Sequence, residues 1–287
     1  MLPPLSIANQ YAMPKKLLTV LAGWLAGARL GGLTHALIRR FVAAYQVDMS
    51  EAADPRIESY ATFNDFFTRP LRDGARPLAA APFICPVDAA ISQFGPIAHD
   101  QLFQAKGHSY STRALVGGDQ ELAHRFDNGH FATLYLAPKD YHRIHMPCEG
   151  RLMRMIYVPG DLFSVNPLTA RHVPGLFARN ERVVCEFECA HGPMVMVLVG
   201  ATIVGSMATV WHGVVNPPRT RAPREWRYDG DNIVLAKGAE MGRFLLGSTV
   251  ILLFPRNVLT FTPDWAPTRP VRLGEAMATV IETEGAL

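Results

Sequence analysis

Three short texts hold the residue types that can attack a carbonyl or move a proton: Cys85-Pro86-Val87-Asp88-Ala89-Ala90, Tyr141-His142-Arg143-Ile144-His145-Met146-Pro147 and Leu246-Gly247-Ser248-Thr249. A serine, a histidine and an aspartate on separate loops are the ingredients of an activated nucleophile, in which imidazole removes the hydroxyl proton and a carboxylate steadies the imidazolium. Each text also has a plain reading. An aspartate after a proline commonly caps a turn, and a serine before a strand is commonly a turn residue. His142 and His145, at i and i+3, could ligate a metal, but no third ligand of matching type stands nearby, so no metal is expected. The chain lacks the G-x-S-x-G elbow, the P-loop, G-x-G-x-x-G and H-E-x-x-H, so the commoner enzyme signatures are excluded.

Those residues need a scaffold. With 287 residues, 49% hydrophobic and 18% charged, the chain can bury a substantial core and is neither disordered nor a disulfide scaffold. Cys85, Cys148, Cys185 and Cys189 form no C-x-x-C pair and read as buried free thiols. The net charge of +3 is unevenly placed: residues 1–47 carry Lys15, Lys16, Arg29, Arg39 and Arg40 with no acid, leaving 3 − 5 = −2 for the rest.

The run from Leu17 to Ala28 has no charge, yet at twelve residues it is too short for a bilayer span, which takes about 20. It resembles a secretory signal with Ala26-Gly27-Ala28 as the cleavage text, but the helical pattern continues through Leu33, Leu37, Ile38, Phe41, Val42 and Tyr45, against that reading. An apolar face bearing Leu21, Trp24 and Leu25, with cations beside it, suits an interfacial helix and equally suits a helix docked on its own domain. Residues 61–71 read as a short helix capped by Thr62 or Asn64 and ended by Pro70. Beyond it the spacing predicts a hairpin over Val183–Val199, turning at His191-Gly192-Pro193. Further strands are expected at Phe131–Leu136, Leu152–Tyr157, Ala201–Trp211, Ile233–Ala236, Thr249–Phe254, Val258–Phe261 and Ala276–Ile281, and an exposed loop at Asn216–Arg224. The expected fold is α+β: N-terminal amphipathic helices (1–60) on a predominantly antiparallel β barrel or sandwich (61–287).

Taken together, the three texts resemble the phosphatidylserine decarboxylases of the bacterial membrane-associated type. Tyr157-Val158-Pro159-Gly160-Asp161-Leu162-Phe163-Ser164-Val165-Asn166, Leu176-Phe177-Ala178-Arg179-Asn180-Glu181-Arg182 and Val199-Gly200-Ala201-Thr202-Ile203-Val204-Gly205 share the likeness, which runs from about Gln10 to Ile281. The resemblance implies a self-made cofactor. Ser248 attacks the Gly247 carbonyl with His145 as general base and Asp88 holding its imidazole; the ester is then cut by elimination, and residue 248 becomes a pyruvoyl group. A β chain (1–247) and an α chain (248–287) result. The pyruvoyl carbonyl would take the amine of phosphatidylserine as a Schiff base, release carbon dioxide and yield phosphatidylethanolamine, with His142, at the ordinary imidazole pKa of about 6.5, as proton donor. It further implies a homodimer and peripheral attachment to the cytoplasmic face of the bacterial cell membrane, with Lys15, Lys16, Leu21, Trp24, Leu25, Arg29, Arg39 and Arg40 meeting anionic lipid. One departure stands out: Ala89 replaces the family's usual glycine after the aspartate, which bears on the turn around Asp88. The alternatives are a serine hydrolase using Ser248, His145 and Asp88, and a non-catalytic lipid-binding protein of the same fold.

Overall fold

A computed structural model describes residues 5–202, 206–216, 219–246 and 249–281, so Gly247 and Ser248 lie outside the described residues while both their neighbours lie within them. The strands that matter for the site are β1 (Ala89–Pro96), β2 (His130–Tyr135), β3 (Arg143–His145), β4 (Gly150–Val158), β5 (Arg182–Cys189), β6 (Gly192–Val199), β7 (Met207–Thr209), β8 (Glu240–Phe244) and β9 (Thr249–Phe254). Among the described residues the large sheet has nine strands, and its middle runs β4-β5-β6-β9-β2-β1 with every neighbour antiparallel. Its edges, Arg224–Arg227 and Pro270–Val271, do not meet, so the body is layered and not a closed barrel. A smaller sheet contains β7, β8 and β3.

The uninterrupted apolar runs belong to strands covered on both faces. Successive side chains of a strand point to opposite sides. Val250, Leu252 and Phe254 of β9 therefore enter one core with Leu134, Phe187 and Leu198. Ile251 and Leu253 enter the other with Phe131, Phe163 and Val197. At roughly 1.5–3 kcal/mol for each large apolar side chain removed from water, β9 is among the most firmly held parts of the chain.

Some expectations shift. The β5–β6 hairpin pairs Arg182 with Val199 through Cys189 with Gly192, so the turn is at Ala190-His191, and Gly192, at φ +100°, supplies the left-handed backbone that starts the return strand. The strand expected over 201–211 is confined to β7 among the described residues. Asn216, expected in an exposed loop, is buried, because its side-chain amide donates to the Glu181 carboxylate and its oxygen accepts from the Met207 amide. Arg224, at the other end of that loop, opens an edge strand. Cys85, Cys148 and Cys185 are buried and Cys189 partly buried, all as free thiols.

The N-terminus forms α1 (Leu5–Ala12), α2 (Lys15–Gly27) and α3 (Gly32–Tyr45). The helical pattern that continues through this region is broken at Ala28–Gly31, where Gly31 takes φ +55° and α3 leaves α2 at 113°. Among the described residues no single helix is long and apolar enough to cross a membrane. A short helix, α4 (Phe63–Phe67), starts with a reciprocal capping box: Thr62 accepts from the Asp65 amide and Asp65 from the Thr62 amide. Its Phe63, Phe66 and Phe67 pack with Ala26, Ile38, Val47 and Tyr60, welding the helical segment to the body across residue 60.

Candidate active site

β8 carries the chain toward the Gly247–Ser248 text alongside the strand that bears the histidines. Glu240 lies opposite His145 and Arg243 opposite Arg143, and the Phe244 amide donates to the His142 carbonyl at 3.0 Å. Leu246 then packs against the α4 aromatics. It takes φ +109°, a backbone region in which a bulky residue is strained by about 1–3 kcal/mol. The chain is described again at Thr249, locked between Tyr135 of β2 and Val199 of β6. From Tyr135 the chain passes through a turn, closed by the Ala137 amide on the Asp140 carboxylate at 2.7 Å, to His142. The segment bearing the two histidines and the segment bearing the serine thus leave the same ladder.

His145 is held through both ring nitrogens. Nδ1 donates to the Gly238 carbonyl at 2.8 Å, which leaves Nε2 as the unprotonated nitrogen, 3.1 Å from the Tyr141 hydroxyl. Gly238 has φ +80°, and a Cβ there would meet Leu78 at 2.3 Å, so glycine is what allows its carbonyl this position. Burial pushes the His145 pKa below its ordinary value, partly offset by the Gly238 bond, and keeps the ring neutral at neutral pH. Such a ring can accept a proton at Nε2.

Asp88 is placed differently from the expected triad. Its carboxylate takes the Arg76 guanidinium in a fork, Oδ1 to Nε at 2.9 Å and Oδ2 to Nη2 at 2.5 Å, and accepts the Leu273 amide at 2.9 Å. Arg76 also holds Glu51 at 2.7 Å. A charged fork outcompetes a neutral imidazole N–H for a carboxylate, so the direct Asp88–His145 hydrogen bond is not made. The two are linked instead through the main chain, the His145 amide donating to the Pro86 carbonyl at 2.9 Å. Ala89 causes no conflict with the family pattern, because it is the first residue of β1, in extended backbone opposite Val271.

His142 does not keep the ordinary imidazole pKa expected of it. Fully buried with its Nδ1 donating to the Asp140 carbonyl at 2.8 Å, it is pushed down to about 3 by desolvation. Its ring lies 4.1 Å from that of Phe67, and its Nε2 has no hydrogen-bond partner among the described residues. It is a neutral acceptor, not a standing acid. The Asp140 carboxyl is instead pushed up, to about 6, by burial. No group of His, Cys, Asp and Glu among the described residues is arranged to hold a metal ion.

A family model described as phosphatidylserine decarboxylase matches residues 63–279, and a second, described as PSD, matches residues 5–46. The phosphatidylserine decarboxylase proenzyme of Dechloromonas aromatica is 69% identical over 273 residues, which are 95% of this chain and 97% of that one. Its counterpart in Polaromonas naphthalenivorans is 70% identical over 279 residues, 96% of each chain. That of Methylibium petroleiphilum is 70% identical over 274 residues, 96% of this chain and 97% of that one. The chain belongs to the phosphatidylserine decarboxylase family.

On the N-terminal arm of this family member, Lys16, Leu21, Trp24, Leu25, Arg29, Arg39 and Arg40 are exposed, Trp24 at 71%. Arg39 pairs with Glu58 at 2.6 Å. Lys15 departs from the expectation: it is buried, 3.1 Å from Asp161 and 4.0 Å above the Phe163 ring, so it docks α2 and does not face outward. Four participants escaped the sequence reading. Tyr141 stood inside a text already singled out, and Asp140 beside it. Arg76 left no local sign, since its partners are far along the chain, and the Gly238 contribution is a backbone carbonyl, which has no residue type to read.

Proposed function

We propose that the chain is a proenzyme that cuts itself between Gly247 and Ser248 and then decarboxylates phosphatidylserine at a membrane surface. Neutral His145 takes the Ser248 hydroxyl proton at Nε2 while Oγ attacks the Gly247 carbonyl carbon; the C–N bond opens, a C–O bond forms, and the peptide becomes an ester. Removal of the residue 248 α-proton expels the Gly247 carboxylate and leaves dehydroalanine, from which water displaces ammonia. One water enters, one ammonia leaves, and two chains ending at 247 and beginning at 248 result. Arg76 and Asp88 act as positioning residues, by fixing the Pro86–Asp88 segment on which the His145 main chain rests.

The Thr249 hydroxyl, next in sequence to that new terminus, and His142 Nε2 are both buried without a partner among the described residues, and we infer that they serve the reaction. Once formed, the pyruvoyl group supplies the carbonyl that captures the substrate amine and draws electrons as carbon dioxide departs. His142 Nε2 would receive and return protons there, its low pKa making it a fast donor only while transiently charged. After cutting, β9 stays bonded to β2 and β6, which holds the α chain on the β chain. We extend the proposal to a homodimer, and to a peripheral position on the cytoplasmic face of the cell membrane. Leu17, Val20, Leu21, Trp24, Leu25 and Leu33 would enter the acyl region, and Lys16, Arg29 and Arg40 would meet anionic headgroups.

The observation that carries this reading is what stands on either side of the Gly247–Ser248 text: before it a strained Leu246, reached from the strand paired with that of His145, and after it Thr249, opening a strand whose side chains enter both cores. The test is release of labelled carbon dioxide from carboxyl-labelled phosphatidylserine vesicles. Wild-type protein is expected to release it and Ser248→Ala to release none. Hydrolysis of the lipid ester by an uncut chain would instead favour a serine hydrolase, and vesicle binding without either reaction a lipid-binding protein.

A further inference from the structure

We propose that Arg69 binds the phosphodiester of the lipid headgroup, in a polar cavity that opens beside the Tyr141–His145 pair; the assignment rests on the decarboxylase reading. The cavity, of about 260 Å³, is lined among others by Arg69, Arg76, Asp88, Lys139, Asp140 and Tyr141. Arg69 is only 4% exposed, yet its Nε has no hydrogen-bond partner and no carboxylate pairs with it among the described residues. Its polar contact is one long one, Nη2 to the Lys139 carbonyl at 3.4 Å, with the Phe66 ring 5.3 Å away. Burial of a cation without a counter-charge is costly.

Two other arginines, one buried and one partly buried, show how this fold satisfies a structural guanidinium. Arg182, at 3% exposure, donates to the carbonyls of Ala114, Leu115, Ala178 and Asn180. Arg76 holds both Asp88 and Glu51. Arg69 has nothing comparable, and the acids of the cavity are already engaged. Asp88 and Glu51 hold Arg76, Asp48 caps Ser50, and Asp140, pushed up to about 6 by burial, accepts from Ala137. What the cavity offers to a newcomer is positive charge, with the Lys139 side chain exposed at its rim.

The position suits the headgroup. Phe67, two residues before Arg69, lies on the His142 ring, the Thr68 carbonyl is fixed by Arg143 Nε at 2.8 Å, and Tyr141, on the same cavity, reaches His145 at 3.1 Å. The substrate has two anionic groups that a guanidinium fork would fit. Holding the carboxylate there would stabilise the ground state and lose that stabilisation as carbon dioxide departs, which raises the barrier. The phosphodiester keeps its charge throughout the reaction. Arg69 can therefore bind it without penalty to the chemical step.

The experiment compares wild type with Arg69→Gln, using dihexanoyl phosphatidylserine as substrate and dihexanoyl phosphatidylethanolamine, which has the phosphodiester but no carboxylate, as inhibitor. The variant is expected to cut itself, by intact mass, and to show KM and the inhibition constant both raised about tenfold or more, with kcat altered less. Unchanged constants overturn the proposal, and a raised KM with unchanged inhibition overturns the phosphodiester assignment in favour of the carboxylate. If Arg69→Gln is not cut, binding of the same inhibitor is compared in the uncut Ser248→Ala chain with and without it, and an equal Kd overturns the proposal. If the glutamine variant does not fold, Arg69→Lys, which keeps the charge but loses the fork, is expected to raise both constants about threefold or more, and unchanged constants overturn the proposal. Absence of carbon dioxide release by the wild type would instead count against the decarboxylase reading, whatever Arg69 does.

Discussion

At the scale of single residues, the proposed role of His145 as base rests on two features of its ring. Its Nδ1 is committed to the Gly238 carbonyl, so the proton-accepting nitrogen is Nε2, and burial lowers its pKa. The neutral form is the active one, and a lowered pKa extends its population toward acid. Self-cleavage is therefore expected to be flat with pH from 8 down to the ordinary imidazole value of about 6.5 and to fall only below it; a midpoint above 6.5 in the rate of precursor loss would contradict this. Arg76→Gln should leave the Asp88 carboxylate buried without its fork, lower stability by about 3 kcal/mol in denaturant titration and slow self-cleavage. Cleavage at the wild-type rate would detach Asp88 and Arg76 from the processing machinery. Asp88 and His145 were legible because their local texts are unusual. Their actual partners were not, because Arg76 and Gly238 are distant in sequence and one of them contributes only its main chain.

At the scale of elements, period and capping were readable where a single local rule decides. The alternation of Cys185, Phe187 and Cys189 with Glu186 and Glu188, and Thr62 as one of two offered caps, led to β5 and α4. Which face of α2 is docked was not readable, since periodicity defines a face without saying what covers it. Lys15 shares the basic composition of the arm, yet Asp161 and Phe163 draw it inward. The two kinds of residue should separate experimentally. Replacing Leu21, Trp24 and Leu25 by serine is expected to shift the protein from membrane pellet to supernatant with little change in melting temperature. Lys15→Met should lower the melting temperature and leave the sedimentation unchanged. The reverse pattern would mean that the exposed face of α2 is not what holds the membrane.

At the scale of the whole molecule, two cores on opposite faces of one large sheet explain how a chain can be cut and remain assembled. The proposed cut falls just before β9, whose side chains enter both cores, so the α chain is expected to stay bound under native conditions. The antiparallel β body and its helical N-terminal arm were legible from strand density and charge placement. The layered, open form of the large sheet was not, because closure depends on which edge strands meet, and pairing across such distances leaves no local pattern. The most direct test is denaturing mass spectrometry of the purified protein after it has been kept folded. The expected spectrum shows a β chain of residues 1–247 and an α chain of residues 248–287 whose first residue reacts as a ketone, while Ser248→Ala remains one chain. A wild-type protein that stays a single chain of 287 residues, with serine intact at 248, would contradict self-processing and the decarboxylation that depends on it.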